Sequence, residues 1–250
     1  MLGWILLTTL VSPLHAEDLP PPPGAGAELS AGVELAAASR YVWRGMPAST
    51  SPTLQPSAWL GYQNISFAAW SNFNLDQADG TGLNQLHLLL SLSQEWDDLS
   101  FTPALVAYIL PGTGYTAETT GDIAWQPGWF GLYSNHAIDF IDARPGWWSE
   151  TGVSFTVGLP AGLGLDANLG ASVANRTYNQ YYLALDRVGL QYACAGLSLG
   201  WAHSSGVYAG LTGRMDLLTS DDIRSALGTD TLLASALLSV GWEGSAVWVR

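Results

Sequence analysis

The stretch Leu163-Gly164-Leu165-Asp166-Ala167-Asn168-Leu169-Gly170-Ala171-Ser172-Val173 carries leucine, alanine or valine at every odd position and glycine, aspartate, asparagine or serine at every even one. A helix would space its apolar residues by three and four; strict alternation is the period of a β-strand with one apolar and one polar face. Strands of soluble proteins run about 5–6 residues, whereas a strand crossing a bilayer at a tilt needs about 9–11. This run has the membrane length.

The pattern recurs on both sides of it. Leu29, Ala31, Val33, Leu35, Ala37, Tyr41 and Trp43 alternate with Ser30, Gly32, Glu34, Arg40 and Arg44, and read as one long first strand. Ile65, Phe67, Ala69 and Phe73 oppose Ser66, Asn72 and Asn74; Leu86, Leu88, Leu90 and Leu92 oppose Gln85, His87, Ser91 and Ser93; Val207, Leu211 and Met215 oppose Tyr208, Thr212, Arg214 and Asp216. Connections between such runs alternate in length. Long ones at 45–52, 76–82, 111–117, 142–146, 175–182 and 218–230 are interleaved with short ones at 63–64, 97–98, 127–128, 160–162 and 204–206. Outer-membrane barrels alternate long extracellular loops with short periplasmic turns in this way. The count predicts an all-β, antiparallel, up-and-down transmembrane barrel of twelve strands with both termini on the periplasmic side. Residues 187–203 are long for one strand and change apolar phase, from Val188, Leu190 and Tyr192 to Leu197, Leu199 and Trp201. A bulge would reset the phase; a tight turn would split the segment and give fourteen strands.

Composition agrees. Of 250 residues, 48% are hydrophobic and only 12% charged, with no lysine and a net charge of −13. Intrinsic disorder needs the opposite balance, and nucleic acid needs a basic face. The single cysteine, Cys194, cannot pair within the chain, and no metal-ligand spacing is present. Residues 1–16 read as a cleaved signal peptide, although no basic residue precedes the apolar run, and 17–27, with four consecutive prolines, as a stiff periplasmic linker. Residues 28–243 form the barrel and 244–250 a short extension. Tyr41, Trp43, Tyr62, Trp96, Trp125, Trp129, Trp147, Trp148, Trp201 and Trp242 all fall near strand ends. Aromatic side chains gather at membrane interfaces there.

A family resemblance rests on Ser39-Arg40-Tyr41-Val42-Trp43-Arg44-Gly45-Met46, on Leu54-Gln55-Pro56-Ser57, on Ala69-Trp70-Ser71-Asn72-Phe73-Asn74-Leu75-Asp76, and on Asp216-Leu217-Leu218-Thr219-Ser220-Asp221-Asp222-Ile223-Arg224 followed by Leu237-Leu238-Ser239-Val240-Gly241-Trp242. These segments resemble a TorF-like bacterial family of uncharacterised outer-membrane porins. The resemblance implies an outer-membrane barrel of a Gram-negative envelope, with its last strand ending near Trp242.

Function then lies in the lumen. Glu34, Arg40, Arg44, His87, Glu95, Glu118, Asp122, Glu150, Asp166, Arg187, Arg214 and Asp216 are the charged or titratable candidates for a pore lining. Barrels of about eight strands fill with side chains and those of 16 to 18 leave a channel, so twelve predicts a narrow pore. An acidic excess favours cations over anions. Expected partners are outer-membrane lipid, the barrel-assembly machinery and small solutes or ions, with no cofactor, metal or nucleic acid. The competing readings are a non-conducting structural barrel, a secreted β-sandwich and a lipid-modifying hydrolase. The last rests on His203 and Ser205, which share a strand face as a nucleophile and its base would and resemble the pair of lipid A deacylases. No catalytic residue is assigned.

Overall fold

A computed structural model describes residues 29–76, 82–112 and 114–246. The expected signal peptide and linker, and the end of the extension, lie outside the described residues. The strands are β1 (Leu29–Ala38), β2 (Tyr41–Trp43), β3 (Met46–Ser49), β4 (Thr53–Tyr62), β5 (Ile65–Asn74), β6 (Leu83–Leu92), β7 (Gln94–Trp96), β8 (Leu99–Leu110), β9 (Gly114–Trp125), β10 (Phe130–Asp139), β11 (Gly146–Gly158), β12 (Leu163–Ala174), β13 (Gly189–Ala202), β14 (Val207–Leu218) and β15 (Leu232–Ala246). Two short helices, α1 (Arg176–Leu183) and α2 (Asp221–Leu227), lie in connections.

Twelve of these strands pair antiparallel with their neighbours and close into one barrel, β15 pairing with β1 and β6 with β8. Closure removes the edges that an open sheet would expose in lipid. The same closure rules out the two stacked sheets of a sandwich. The outward positions of β12 are Leu165 and Leu169, those of β1 Val33 and Leu35, and those of β14 Leu211 and Met215, all exposed. Their even-numbered neighbours, including Ser30, Asn168, Ser172 and Arg214, are buried in the interior. Apolar outside and polar inside inverts the soluble arrangement; it suits a barrel whose solvent is lipid.

Barrel strands of 10 to 15 residues are long enough for that crossing. Tyr62, Trp96, Trp125, Trp129, Trp201 and Trp242 form an exposed aromatic girdle at the short-turn end. Tyr41 and Trp148, expected in such girdles, are instead buried inside. Segment 187–203 holds a single barrel strand. β13 pairs with β12 through a register shift that places one extra residue at Gln191–Tyr192, a bulge, so that both side chains are buried within the barrel. Tyr192 therefore does not join Leu190 on the outer face. β15 continues past Trp242 to Ala246, which pairs with Leu29.

Three long connections fold back as structure. Residues 41–49 form a hairpin, β2–β3, rather than prolonging β1. Helix α1 starts at Asn175, whose side chain accepts from the Tyr178 N–H, and α2 starts at Ser220, which accepts from the Ile223 N–H and is followed by two aspartates in the first turn. Side-chain caps and acidic first turns satisfy the free N–H groups of a helix start. Helix α2 ends at Gly228 in the left-handed region.

The candidate pore and its plug

Hairpin β2–β3 turns at Arg44-Gly45, both with positive φ (49° and 73°), the geometry of a tight two-residue turn. Its tip enters the barrel: a Cβ on Gly45 would overlap the Tyr192 ring of β13. Gly45→Val is therefore expected to cost about 1–2 kcal/mol from the left-handed backbone alone, with the overlap added to it. Urea unfolding in detergent or liposomes measures the loss.

Arg44 is the anchor of the tip. Its Nη1 donates to Glu118 Oε1 at 2.9 Å and its Nη2 to Glu118 Oε2 at 2.7 Å, a two-pronged ion pair with both side chains essentially dry. Tyr108 donates to Glu118 Oε2 at 3.0 Å. The guanidinium also lies 4.6 Å from the Trp148 ring and 4.8 Å from that of Trp43. Around it the rings run in series. Tyr41 packs on Trp70, Trp70 on His87 and His87 on Tyr108, with centroids 4.5–5.4 Å apart. His87 Nε2 lies 2.9 Å from Gln85 Oε1, which also accepts from Tyr41. Trp43 reaches Tyr182 of α1 at 5.1 Å. Hairpin and helices pack into the long-loop half of the lumen through an apolar cluster that includes Trp148, Tyr178, Tyr192, Leu218, Ile223 and Leu233.

A second ionic group lies beneath. Glu150 of β11 accepts from Tyr133 at 3.0 Å, Tyr192 at 2.8 Å and Arg214 at 2.9 Å, and Arg214 also donates to Asp216 at 2.9 Å. Asp139, fully buried at the end of β10, caps the next turn by accepting the N–H groups of Ile141 and Asp142, and also accepts from Thr116 and Tyr182. Burial, then neighbouring Tyr178, Glu118 and Asp139, push the Tyr182 phenol above its ordinary range, against the opposing pull of Arg44. A phenol raised on folding stabilises below its unfolded pKa of about 10 and loses that contribution as pH rises beyond it. The plug is expected to loosen under alkali, and Tyr182→Phe to reduce that sensitivity in a pH series of unfolding curves.

The short-turn half differs. Glu34, which binds the Tyr208 and Ser239 hydroxyls, Asp122, Asp166 and Glu243 are its carboxylates. Every arginine among the described residues sits in the long-loop half, in its loops or in its helices. Asp122 shares a strand face with Glu118 yet is exposed, so the lumen opens toward the turns.

Comparison with solved structures places this architecture. The chain superposes on the NanC porin with a TM-score of 0.52 at 10% identity, covering 86% of this chain and 100% of that one. On the COG4313 outer-membrane channel from Pseudomonas putida F1 it scores 0.51 at 11% identity, covering 94% and 100%. The fold is that of outer-membrane porin channels. No protein-family model matches the sequence, and comparison with curated proteins gives no match.

On this porin-type wall the sequence-derived residues divide. Glu34, His87, Glu118, Asp122, Glu150, Asp166, Arg214 and Asp216 lie on inward-facing strand positions, and all but Glu34 and Asp122 are buried. Arg44 reaches the lumen from the hairpin tip, not from the wall. Arg40 is half-buried in the bend between β1 and β2 at the long-loop mouth. Glu95 lies on β7, a short extension beyond β6 at the turn end, where it is exposed and pairs with Ser100 on the inward face of β8. One residue does not line the lumen. Arg187 follows α1 in a loop, where it donates to Ser220 at 2.6 Å and pairs with Asp222 at 3.4 Å. Tyr108, Tyr133, Asp139, Trp148 and Tyr192 complete the buried network and were absent from the sequence-derived set; a tyrosine or tryptophan facing inward looks, in sequence, like one facing lipid. His203 and Ser205 sit in the exposed turn 203–206, where the imidazole Nδ1 accepts the Ser205 N–H at 3.2 Å and lies 2.9 Å from its hydroxyl. The pair closes a turn, and His203 makes no ion pair among the described residues.

Proposed function

We propose that the chain is a narrow porin-like channel of the Gram-negative outer membrane for small solutes or ions, with mild cation preference, closed at its external end by the β2–β3 hairpin in the conformation described. The observation that carries this reading is the asymmetry of the lumen: an open, arginine-free half with Glu34, Asp122, Asp166 and Glu243, below a half sealed by the Arg44–Glu118 pair. Carboxylates in a low-dielectric tube raise the local concentration of cations. Export by residues 1–16, insertion by the barrel-assembly machinery and membership of the TorF-like porin family belong to the same proposal. It is tested by reversal potentials across a salt gradient. The wild-type channel is expected to favour cations, and Asp122→Asn together with Asp166→Asn to move the reversal potential toward zero. An anion preference, or no response to the double substitution, would overturn the selectivity.

A further inference from the structure

The outward belt is apolar around most of the barrel and breaks on three adjacent strands. Thr119 and Gly121 of β9, Ser134 and His136 of β10, and Ser149 and Thr151 of β11 take the outward positions, because their sequence neighbours Glu118, Tyr133 and Glu150 are bound inside; Thr119 and Thr151 are exposed, Ser134 and His136 half-buried, and Ser149 is covered. Register puts them side by side. His136 pairs with Ser149 and Gly121, and Ser134 with Thr151, halfway along strands of about bilayer length. Elsewhere in the middle of the outward belt, among the described residues, Ser71 is the other hydroxyl, and it donates to the Pro56 carbonyl.

Within the patch Ser134 Oγ lies 3.0 Å from His136 Nε2 and 2.8 Å from Thr151 Oγ1, and the His136 ring stacks near Trp147. His136 Nδ1 and Thr119 Oγ1 have no hydrogen-bond partner among the described residues. Hydrocarbon offers none, so a bilayer leaves these groups unsatisfied. Contacts between proteins in membranes, in contrast, are made through hydroxyls, imidazoles and small residues.

We propose that this face of β9–β11 is an interface with a second copy of the same chain. Every inserted copy has its turns on the same side, so a two-fold axis must run along the membrane normal. That axis brings the patch onto itself at the same depth. The patch is complementary to itself, since the hydroxyls of Ser134, Thr151 and Thr119 each donate and accept. A lipid headgroup would instead bind at the girdles, where water is available, not at mid-depth.

The inference rests on the membrane reading but not on conduction. The test is disulfide cross-linking of the full chain in native outer membranes. Thr151→Cys is made in a Cys194→Ser background, with Leu211→Cys on another wall as control. A dimer of twice the chain mass from Thr151→Cys, absent from Leu211→Cys, is expected. Replacing Ser134, His136 and Thr151 with Ala, Leu and Val, which suits lipid and preserves folding as read by heat-modifiable migration, is expected to leave only monomer in mild detergent where the wild type is dimeric. No Thr151→Cys adduct in membranes, an adduct of another mass, or a dimer that survives the triple substitution would overturn the proposal. A monomer that still conducts would overturn it while leaving the channel reading intact; a chain missing from the membrane fraction would overturn both.

Discussion

Replacing Arg44 and Glu118 together by alanine is expected to raise single-channel conductance several-fold, because the pair is what ties the hairpin tip to the barrel wall. Both groups are buried and bound to each other through two hydrogen bonds, with Tyr108 as a third partner. Replacing a buried pair as a unit by apolar groups of similar volume is close to neutral, whereas removing one member strands the other charge and costs about 3–5 kcal/mol; two alanines remove both charges but leave a cavity. Arg44→Ala alone is therefore expected to destabilise the barrel by that amount, and the double variant to cost less than the sum of the two single changes while losing the tether. The signature is a non-additive stability change together with larger, longer openings. Equal conductance in wild type and double variant would mean that the hairpin is not the barrier.

Arg214→Met is expected to be the most destabilising single change in the lumen, at least about 3–5 kcal/mol by the same reasoning, since it strands two carboxylates rather than one. Arg214 is the cation for both Glu150 and Asp216, and its guanidinium also lies 5.7 Å from the Tyr192 ring. Methionine keeps the stem but not the charge. Glu150→Gln, which retains an oxygen for Tyr133 and Tyr192, is expected to cost less than Arg214→Met. Equilibrium unfolding in urea from phospholipid vesicles ranks the two, and a smaller loss from Arg214→Met would contradict the assignment of this cluster as a linked unit.

How much of this was readable in sequence follows from what alternation records. It records which face a residue takes while the strand stays regular, so the belt of β1, β12 and β14 and the alternation of loops and turns were legible. Where the backbone leaves the strand, alternation misleads. Tyr41 and Trp43 resume the odd-numbered apolar series of β1 after Ser39, yet the chain bends at Ser39-Arg40 and folds inward. The signal that marks the hairpin is Arg44-Gly45 between Trp43 and Met46, a two-residue turn with glycine where positive φ is needed. At Gln191–Tyr192 one inserted residue reverses the inward and outward assignment; the change of apolar phase between Tyr192 and Leu197 signals a bulge in this segment but not its position. Arg187 was misplaced for a similar reason: it extends the polar phase of β13 to a residue before the strand begins. Helices α1 and α2 were not expected in the long connections; the caps Asn175 and Ser220 and the stop at Gly228 are the residues that mark them. The ionic partners were not, since Arg44 and Glu118 are 74 residues apart and meet only through barrel closure.

The measurement that tests the account most directly is single-channel recording in a planar bilayer, with wild type and the Arg44→Ala/Glu118→Ala variant inserted under the same salt gradient. Brief, small, cation-preferring steps from the wild type and larger, sustained steps from the variant are the predicted result. Protein that inserts and resists unfolding yet stays silent in both forms would contradict the channel and leave only a structural barrel.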